Sequence, residues 1–347
     1  MEDLNALKIP QLKRLIKERN IIMPTVGTGK NGAILKKDYI YTLTTNQNTR
    51  QPSNISDRYE FIRKLGEGGY GTVCLARSKV DGYLVAIKKM GIHYLKEATR
   101  EFNVMKNIGC LDHVLCYRDL IVTKEHVYLV MDYLEGKDLY DVLADRNSEI
   151  SGEKVEVFQP FSDHETLIIF EQLLTGLSAL HRNNIVHMDI KPENIMTTRL
   201  GGLVIIDLGM TCSLVAAPKC DLRYSTGTKQ TRSPEMSYAI TQDPPKMTPL
   251  EFFASDVWMM GLVFKTVVEL KYTDMETLEI DDVIRHKLTR DEYLRRWAIK
   301  NKLSPTATKS DAVNKLIDDM LNIDYRKRPT AEQLLVIVKN LSHRFTD

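Results

Sequence analysis

The stretch of sequence that decides the fold is Ile185-Val186-His187-Met188-Asp189-Ile190-Lys191-Pro192-Glu193-Asn194-Ile195-Met196. Here an apolar run opens onto a carboxylate, an ammonium group and a carboxamide within six residues. Asp189 can accept a proton from a hydroxyl, Lys191 can offset charge on a phosphoryl group, and Asn194 can ligate a hard cation such as Mg²⁺. The alternative is a polar turn between two strands. We therefore predict a loop that works beside a phosphate.

Composition is ordinary for a globular protein. The 347 residues are 43% apolar and 27% charged, and they suffice for about two domains and a sizeable core. No run of about 18 apolar residues occurs, and Met1-Glu2-Asp3 lacks the basic and then apolar pattern of a secretory signal. We expect an intracellular, cytoplasmic protein that is neither secreted nor bound to a membrane.

The five cysteines are Cys74, Cys110, Cys116, Cys212 and Cys220. They form no C-x-x-C pair, and an odd count suits free thiols in a reducing compartment. The sequence therefore predicts free thiols and no disulfide framework.

The first fifty residues are basic. They carry nine basic against four acidic side chains, a net of +5 in a chain whose total is +2. Pro10 can begin a helix with Leu12, Leu15 and Ile16 on one face, and a second short helix is expected over Ala33–Leu43. The loop between them contains Lys30, and its Gly27-Thr28-Gly29-Lys30 lacks P-loop spacing.

The order helix, glycine-bearing loop, lysine, helix resembles the SAP family of small DNA-binding modules. The resemblance implies a helix-extended loop-helix module over 1–45 that binds DNA; the alternative is a solvated helical appendage. A polar run with almost nothing to bury predicts a flexible linker over 46–58.

Short β-like runs begin at Tyr59. They are joined by an Asp81-Gly82 turn and by a glycine loop, and they read as an antiparallel meander over Tyr59–Leu65, Thr72–Arg77 and Leu84–Lys89. The loop is Gly66-Glu67-Gly68-Gly69-Tyr70-Gly71. This spacing also marks dinucleotide-binding folds, where a helix follows the glycines. Because a strand follows here, we predict a hairpin whose backbone amides approach phosphates.

Val85-Ala86-Ile87-Lys88 then supplies a lysine between apolar residues, and a helix is expected over Lys96–Ile108. An exposed lysine on a strand is the alternative. A lysine that binds phosphate needs an acid on the helix face turned toward the strand. Glu101 precedes Val104, Met105 and Ile108 on that face and is the predicted partner, with Glu97 as the second choice.

Four motifs in this order resemble the eukaryotic protein kinase family: Gly66–Val73, Val85–Lys88, His187–Asn194 and Asp207-Leu208-Gly209. The resemblance covers about 59–343. It implies an α+β, bilobal fold over 59–347, with a small antiparallel β lobe and one main helix over about 59–134 and a larger helical lobe over about 135–347. ATP would occupy the cleft.

The resemblance implies roles for individual residues. Asp189 is the catalytic base, supported by Lys191, and Glu101 positions Lys88. Asn194 and Asp207 are expected to hold Mg²⁺, with Mn²⁺ as an alternative cation. Contacts to ATP are implied for Gly66, Glu67, Gly68, Gly69, Tyr70, Gly71, Val73, Ala86, Lys88, Met131, Asp132, Leu134, Asp138 and Met196. Core packing explains Val73, Ala86 and Met196 equally well.

Other positions follow the family pattern. Glu235 in Ser233-Pro234-Glu235 would pair with Arg328, and Asp256 would accept backbone hydrogen bonds below the catalytic loop. The polar stretch Ala144–Asp163 is predicted to be an insertion. Lys191 and Thr228 match the serine/threonine group, so the implied partners are protein substrates with Ser or Thr.

Two departures qualify the match. Leu208 replaces the usual Phe, and Met188 replaces the Arg that commonly pairs with a phosphate on the activation segment. We therefore predict activity without phosphorylation of Thr211, Ser213, Ser225 or Thr226.

Two other functions compete with catalysis. A pseudokinase scaffold would be expected to lose at least one of Lys88, Asp189, Asn194 and Asp207, which are all present. The alternative of a DNA-associated interaction protein is supported by residues 1–45 alone. The combination of a SAP-like head and a compact kinase is similar to kinases of large cytoplasmic DNA viruses, which implies the host cytoplasm or the virion.

Overall fold

The computed structural model describes residues 8–18, 36, 55–106, 108–148, 161–215, 220, 222, 226–271, 273, 275, 276, 278, 288–308 and 310–343. The chain divides into two compact units. One comprises Met1–Phe61 with Arg77–Gly82, and the other Ile62–Ala76 with Tyr83–Asp347.

The described start of the first unit is helix α1, Ile9–Glu18. Leu12 is fully buried, whereas Lys13 and Arg14 are exposed, as the apolar spacing predicts. The predicted second helix lies outside the described residues except for Lys36, and so does 46–54 of the predicted linker. A short 3₁₀ turn, Ile55–Asp57, precedes the sheet and buries Ile55.

The amino-terminal part of the kinase-like region is a five-stranded sheet of order β1-β2-β3-β5-β4. Its strands are β1 Tyr59–Gly68, β2 Gly71–Ser78, β3 Leu84–Gly91, β4 Tyr117–Val122 and β5 His126–Asp132. Strand β3 pairs antiparallel with β5, which sets Ala86 opposite Met131 and Lys88 opposite Leu129. Helix α2, Leu95–Lys106, follows β3. Strands β1, β2 and β3 and helix α2 agree with the predicted runs to within three residues at each end.

Helices dominate the remainder. They are α3 Leu139–Ser148, α4 Asp163–Arg182, α5 Pro234–Ala239, α6 Pro249–Glu269, α7 Arg290–Asn301, α8 Asp311–Met320 and α9 Ala331–Ser342. Capping boxes begin α4 at Ser162 and α6 at Thr248, because each hydroxyl accepts from the backbone amide of a glutamate three residues on. Phe170 of α4 stacks on Phe264 of α6 with ring centroids 3.6 Å apart.

Two small antiparallel sheets carry the candidate site. They pair β6 Ile185–Val186 with β9 Cys212–Ser213, and β7 Ile195–Thr197 with β8 Leu203–Ile205. Val186, Met188, Ile190 and Ile195 are buried in the same apolar core as Trp258 of α6. The apolar residues of 185–196 thus anchor this stretch in the core. The predicted α+β fold class is confirmed.

Two predictions require correction. The predicted insertion Ala144–Asp163 is shorter, because α3 continues to Ser148 and α4 begins at Asp163. The prediction that all cysteines are free is wrong for four of them. Cys110 pairs with Cys116 and Cys212 with Cys220, while Cys74 is free. The paired cysteines are six and eight positions apart in the sequence, and their Cα atoms lie 4.9 and 5.5 Å apart, within disulfide range without any C-x-x-C spacing.

Across the described residues, no helix is both long and apolar enough to span a bilayer.

Candidate active site

The buried carboxylate of Asp256 holds the start of the loop that follows β6. The amides of His187 and Met188 donate to Asp256 Oδ2 and Oδ1, each at 2.8 Å, and His181 Nε2 lies 3.0 Å from Oδ2. Asp256 is fully buried in α6. The predicted role of Asp256 as a backbone acceptor is confirmed. Because both oxygens are engaged, the start of the loop is fixed in direction.

Asp189 is the centre of the loop's polar groups. Its Oδ1 accepts hydrogen bonds from the Thr228 amide and hydroxyl, both at 2.7 Å. Its Oδ2 accepts from Asn194 Nδ2 at 3.0 Å and lies 3.2 Å from Lys191 Nζ. Lys191 also donates to the Thr228 hydroxyl at 2.7 Å. The structure therefore brings Asp189, Lys191 and Asn194 together with Thr228.

The protonation state of Asp189 follows from these neighbours. Burial raises the pKa of Asp189, but the Lys191 ammonium group and the hydrogen bonds from Thr228 outweigh it, and the net shift is downward. A lowered pKa keeps this carboxylate ionised at neutral pH. The group can accept a proton, as a base must.

Asn194 and Asp207 lie next to the paired strands β7 and β8, because Asn194 directly precedes β7 and Asp207 comes two residues after β8. The side-chain nitrogen Nδ2 of Asn194 donates to Asp189, which leaves Oδ1 as the side-chain atom able to ligate a cation. The backbone carbonyl of Asn194 accepts from the Ile206 amide at 2.8 Å. Asp207 follows at once, in a left-handed conformation with φ 57° and an exposed side chain. Strain of this kind is typical of functional positions.

Whether these two residues suit Mg²⁺ depends on the number of ligands. In the described part of the chain, no group of three or more His, Cys, Asp or Glu residues could enclose a metal ion. Mg²⁺ commonly binds through one or two carboxylates plus water and substrate phosphate oxygens. One carboxylate and one amide oxygen fit that pattern.

Lys88 lies on β3 and faces helix α2. Its Nζ is 3.5 Å from Glu101 Oε2, and both side chains are largely buried. Glu97, the second choice, is exposed. The structure thus brings Lys88 next to Glu101 and leaves Glu97 in solvent. The Tyr70 ring lies over Lys88, with 5.9 Å from Nζ to the ring centroid.

The glycine loop joins β1 to β2. Gly71 has φ 148°, and a Cβ there would lie 2.0 Å from the Lys89 carbonyl oxygen, so only glycine fits. A Cβ on Gly66, Gly68 or Gly69 would meet nothing within 4 Å. Packing in this structure does not require those three glycines, which is consistent with approach of a ligand. Glu67 forms an ion pair with Lys64.

Most of the residues predicted to contact the adenine ring belong to or pack on one apolar cluster. Ala86 and Met131 are buried in it, with Val73 and Leu134 packed against it. Met196 is opposite Val204, which packs on the same cluster.

Two other predicted ligand residues have structural partners. Asp132 ends β5 and binds Arg118 through its side chain, at 2.9 Å for one of the two contacts. Asp138 accepts the Asp141 amide at 2.8 Å and so caps α3. Their roles toward ATP stay predictions.

Three residues near the site belong to none of the sequence motifs. The Tyr117 hydroxyl donates to Glu101 Oε1. Arg100 Nη2 donates to the Gly209 carbonyl at 3.0 Å. Arg232, which is buried, donates to the carbonyl groups of Thr226 at 2.9 Å and Gly227 at 3.1 Å. Sequence reasoning missed all three, because an isolated Tyr or Arg carries no spacing signal.

Comparison with known proteins agrees with this geometry. Residues 59–337 match the family model described as protein kinase domain. Sperm motility kinase 2B of Mus musculus is 28% identical over 289 residues, which cover 82% of this chain and 52% of that protein.

Two further relatives carry names that state an acceptor class. Serine/threonine-protein kinase ICK of Mus musculus is 28% identical over 302 residues, covering 80% of this chain and 44% of that protein. Serine/threonine-protein kinase MAK of Homo sapiens is 26% identical over 302 residues, which cover 80% of this chain and 45% of that protein. The chain spans about half the length of these relatives.

Proposed function

The chain belongs to the protein kinase family, and from that premise we propose that it transfers the γ-phosphoryl group of ATP to serine and threonine hydroxyls of protein substrates. The observation that carries the proposal is the position of the Asp189 carboxylate between Lys191 and Thr228. The names of the relatives ICK and MAK support the same acceptor class.

Asp189 would accept the proton of the attacking hydroxyl. Its lowered pKa keeps it deprotonated, and two hydrogen bonds from Thr228 hold Oδ1 in place while Oδ2 contacts Lys191. Lys191 would offset charge on the transferred group, as a cation within a hydrogen-bond network can. Lys191 and Thr228, which both contact Asp189, match the pattern of the serine/threonine group and so favour an aliphatic hydroxyl as the acceptor.

Asn194 and Asp207 would hold Mg²⁺, with Mn²⁺ as the alternative. When bound, the cation neutralises charge on phosphate oxygens. Lys88, oriented by Glu101, would bind phosphate oxygens, and the amides of the glycine loop would approach them from above. The apolar cluster of Val73, Ala86 and Met131 would receive the adenine ring.

Incubation of the full chain with labelled ATP, Mg²⁺ and a peptide array tests this proposal. We expect phosphoserine and phosphothreonine as products, and an Asp207→Asn variant should lose at least about a hundredfold in rate, roughly 2.7 kcal/mol at the transition state. Asp319→Asn is the matched control, since Asp319 only pairs with Lys315 on the surface. A folded Asp207→Asn protein with the wild-type rate would reject the site, and phosphotyrosine as the main product would reject the acceptor class. ATP binding without transfer would favour the pseudokinase.

A second proposal concerns residues 1–45, for which a SAP-like, DNA-binding role remains our interpretation. It is supported by α1, which buries Leu12 and exposes Lys13 and Arg14. If three to five cations contact phosphates, log K should fall against log salt with a slope of roughly −3 to −4.5, with little dependence on sequence. A tethered kinase would then meet substrates already on DNA. The similarity to kinases of large cytoplasmic DNA viruses is part of the same interpretation.

Retention of the full chain on DNA at low salt tests the second proposal. Replacement of Lys30, Lys36 and Lys37 by Glu should abolish retention and leave peptide phosphorylation unchanged. The matched control makes the same charge change at exposed Lys315, Lys327 and Lys339 in the kinase domain. Equal loss in both triple variants would show a general charge effect, and no salt-sensitive retention of wild type would indicate protein docking instead.

A further inference from the structure

Tyr117, the first residue of β4, joins two parts of the candidate site. It packs against the buried apolar cluster that contains Met105 of α2 and Leu208 of the Asp207-Leu208-Gly209 motif. Its hydroxyl leaves this apolar surrounding and donates to Glu101 Oε1. The tyrosine therefore contacts the carboxylate that faces Lys88 and also packs on the apolar cluster that includes Leu208.

The other oxygen of Glu101 is less firmly held. Lys88 Nζ is 3.5 Å from Oε2, beyond the usual range of an N–H···O hydrogen bond. A Cβ on Gly209 would lie 3.6 Å from the same oxygen, so Oε2 faces the motif directly. Arg100, the preceding residue of α2, donates to the Gly209 carbonyl at 3.0 Å. Helix α2 is thus hydrogen-bonded to the motif through Arg100 and lies close to it at the adjacent Glu101.

The Tyr117 hydroxyl is a permanent donor in this arrangement. Burial and the Glu101 carboxylate raise the pKa of Tyr117 well above its usual range, although backbone hydrogen bonding from Leu208 opposes the shift. A neutral phenol that donates to a carboxylate forms a charge-assisted bond, which is stronger than a bond between neutral groups. Glu101 is 5% exposed at its side chain, so water contributes little to fixing its direction.

We propose that Tyr117 is a positioning residue that fixes the Glu101 carboxylate and, through it, directs Lys88 toward the phosphates of ATP. The inference rests on the proposed kinase function. The tyrosine bond orients the glutamate without engaging Lys88 itself. The 3.5 Å separation leaves the ammonium group able to turn from Glu101 to a phosphate oxygen.

The test compares full-length wild type with Tyr117→Phe, which removes one oxygen atom and keeps the ring. We expect kcat to fall roughly tenfold and KM for ATP to rise several-fold, as for a lost hydrogen bond to a buried charged group. Tyr293→Phe is the matched control, because Tyr293 is another buried phenol, in α7 and outside the catalytic machinery. That variant should leave both constants unchanged, and thermal midpoints confirm that both variants fold.

A double-mutant cycle separates positioning from packing. If Tyr117 acts through Glu101, the double variant Tyr117→Phe, Glu101→Gln should be no slower than Glu101→Gln alone. Additive losses would overturn the inference, and so would a Tyr117→Phe enzyme that is as fast as wild type or faster. Wild type that transfers no phosphate would count against the proposed function instead. In that case a non-hydrolysable ATP analogue would be titrated with Mg²⁺ into wild type and into Tyr117→Phe. Equal affinities of the two proteins for the analogue would overturn the role of Tyr117.

Discussion

Two carboxylate and cation pairs in this molecule have similar chemistry and different surroundings. Glu235 and Arg328 are at most 1% exposed at their side chains and form a two-point ion pair at 2.7 and 2.9 Å. Arg328 also donates to the carbonyl oxygens of Asn322 and Ala254, each at 2.8 Å, and lies over the Trp258 ring. The predicted pair is confirmed, and the guanidinium group makes four hydrogen bonds with its five N–H donors.

Asp189 and Lys191 form the contrasting pair. Their side chains are 12% and 20% exposed, the single ion-pair contact is 3.2 Å, and Lys191 also donates to the Thr228 hydroxyl. Such a pair retains access to solvent and to a substrate. The difference indicates that burial, more than residue type, separates a structural ion pair from one that is available for chemistry.

The largest expected effect tests the buried pair. Arg328→Met leaves Glu235 as an uncompensated buried carboxylate, so the free energy of unfolding should fall by about 3–5 kcal/mol. Thermal unfolding would report this as a midpoint lowered by roughly 10 °C. Arg326→Met is the matched control two residues away, because Arg326 pairs with Asp324 on the surface. Equal midpoints for the two variants would contradict the structural role of Arg328.

The next effect tests the accessible pair with the same kind of substitution. Lys191→Met should lower kcat by about ten- to hundredfold, ~1.4–2.7 kcal/mol at the transition state, since the charge beside Asp189 is lost. Its thermal midpoint should stay within a few degrees of wild type because Lys191 is only partly buried. A Lys191→Met protein that unfolds as readily as Arg328→Met would remove the distinction between the two pairs.

Much of the accessible pair was predictable from sequence. Asp189, Lys191 and Asn194 lie within six residues, so their spacing alone places them on one loop. Lys88 and Glu101 were predictable because a strand and a helix have fixed periods, which put one face of α2 toward β3. The pairing of Glu235 with Arg328 came from the family pattern, because 93 residues separate the two.

Other features depend on tertiary contacts that no local pattern encodes. Tyr117 lies 16 residues from Glu101 and reads as an ordinary strand residue, so its hydroxyl bond becomes evident only from the packing of α2 against β4. The cysteine pairs depend on how two loops close. Arg232 precedes a recognisable Ser-Pro-Glu, yet its partners are backbone carbonyl groups, which exist at every residue.

The smallest expected effect concerns the loop that carries Thr228. Kinases commonly order this segment by pairing a phosphate with an Arg at the position of Met188. Met188 is 3% exposed, and a thioether cannot form that charge-assisted bond. Arg232 instead donates to the carbonyl groups of Thr226 and Gly227, directly before the residue that holds Asp189.

The hydroxyl groups of this segment that the structure describes are wholly or partly buried. Thr211 and Thr226 are at most 4% exposed, Ser213 is half-buried, and Ser225 lies outside the described residues. Phosphatase-treated enzyme, shown to be phosphate-free by intact mass, should therefore keep its rate within about threefold, less than ~0.7 kcal/mol at the transition state. Arg232→Met, which removes the internal support, should cost more than the phosphatase does. A hundredfold loss on dephosphorylation would mean that a phosphate, and not Arg232, holds Thr228 against the base.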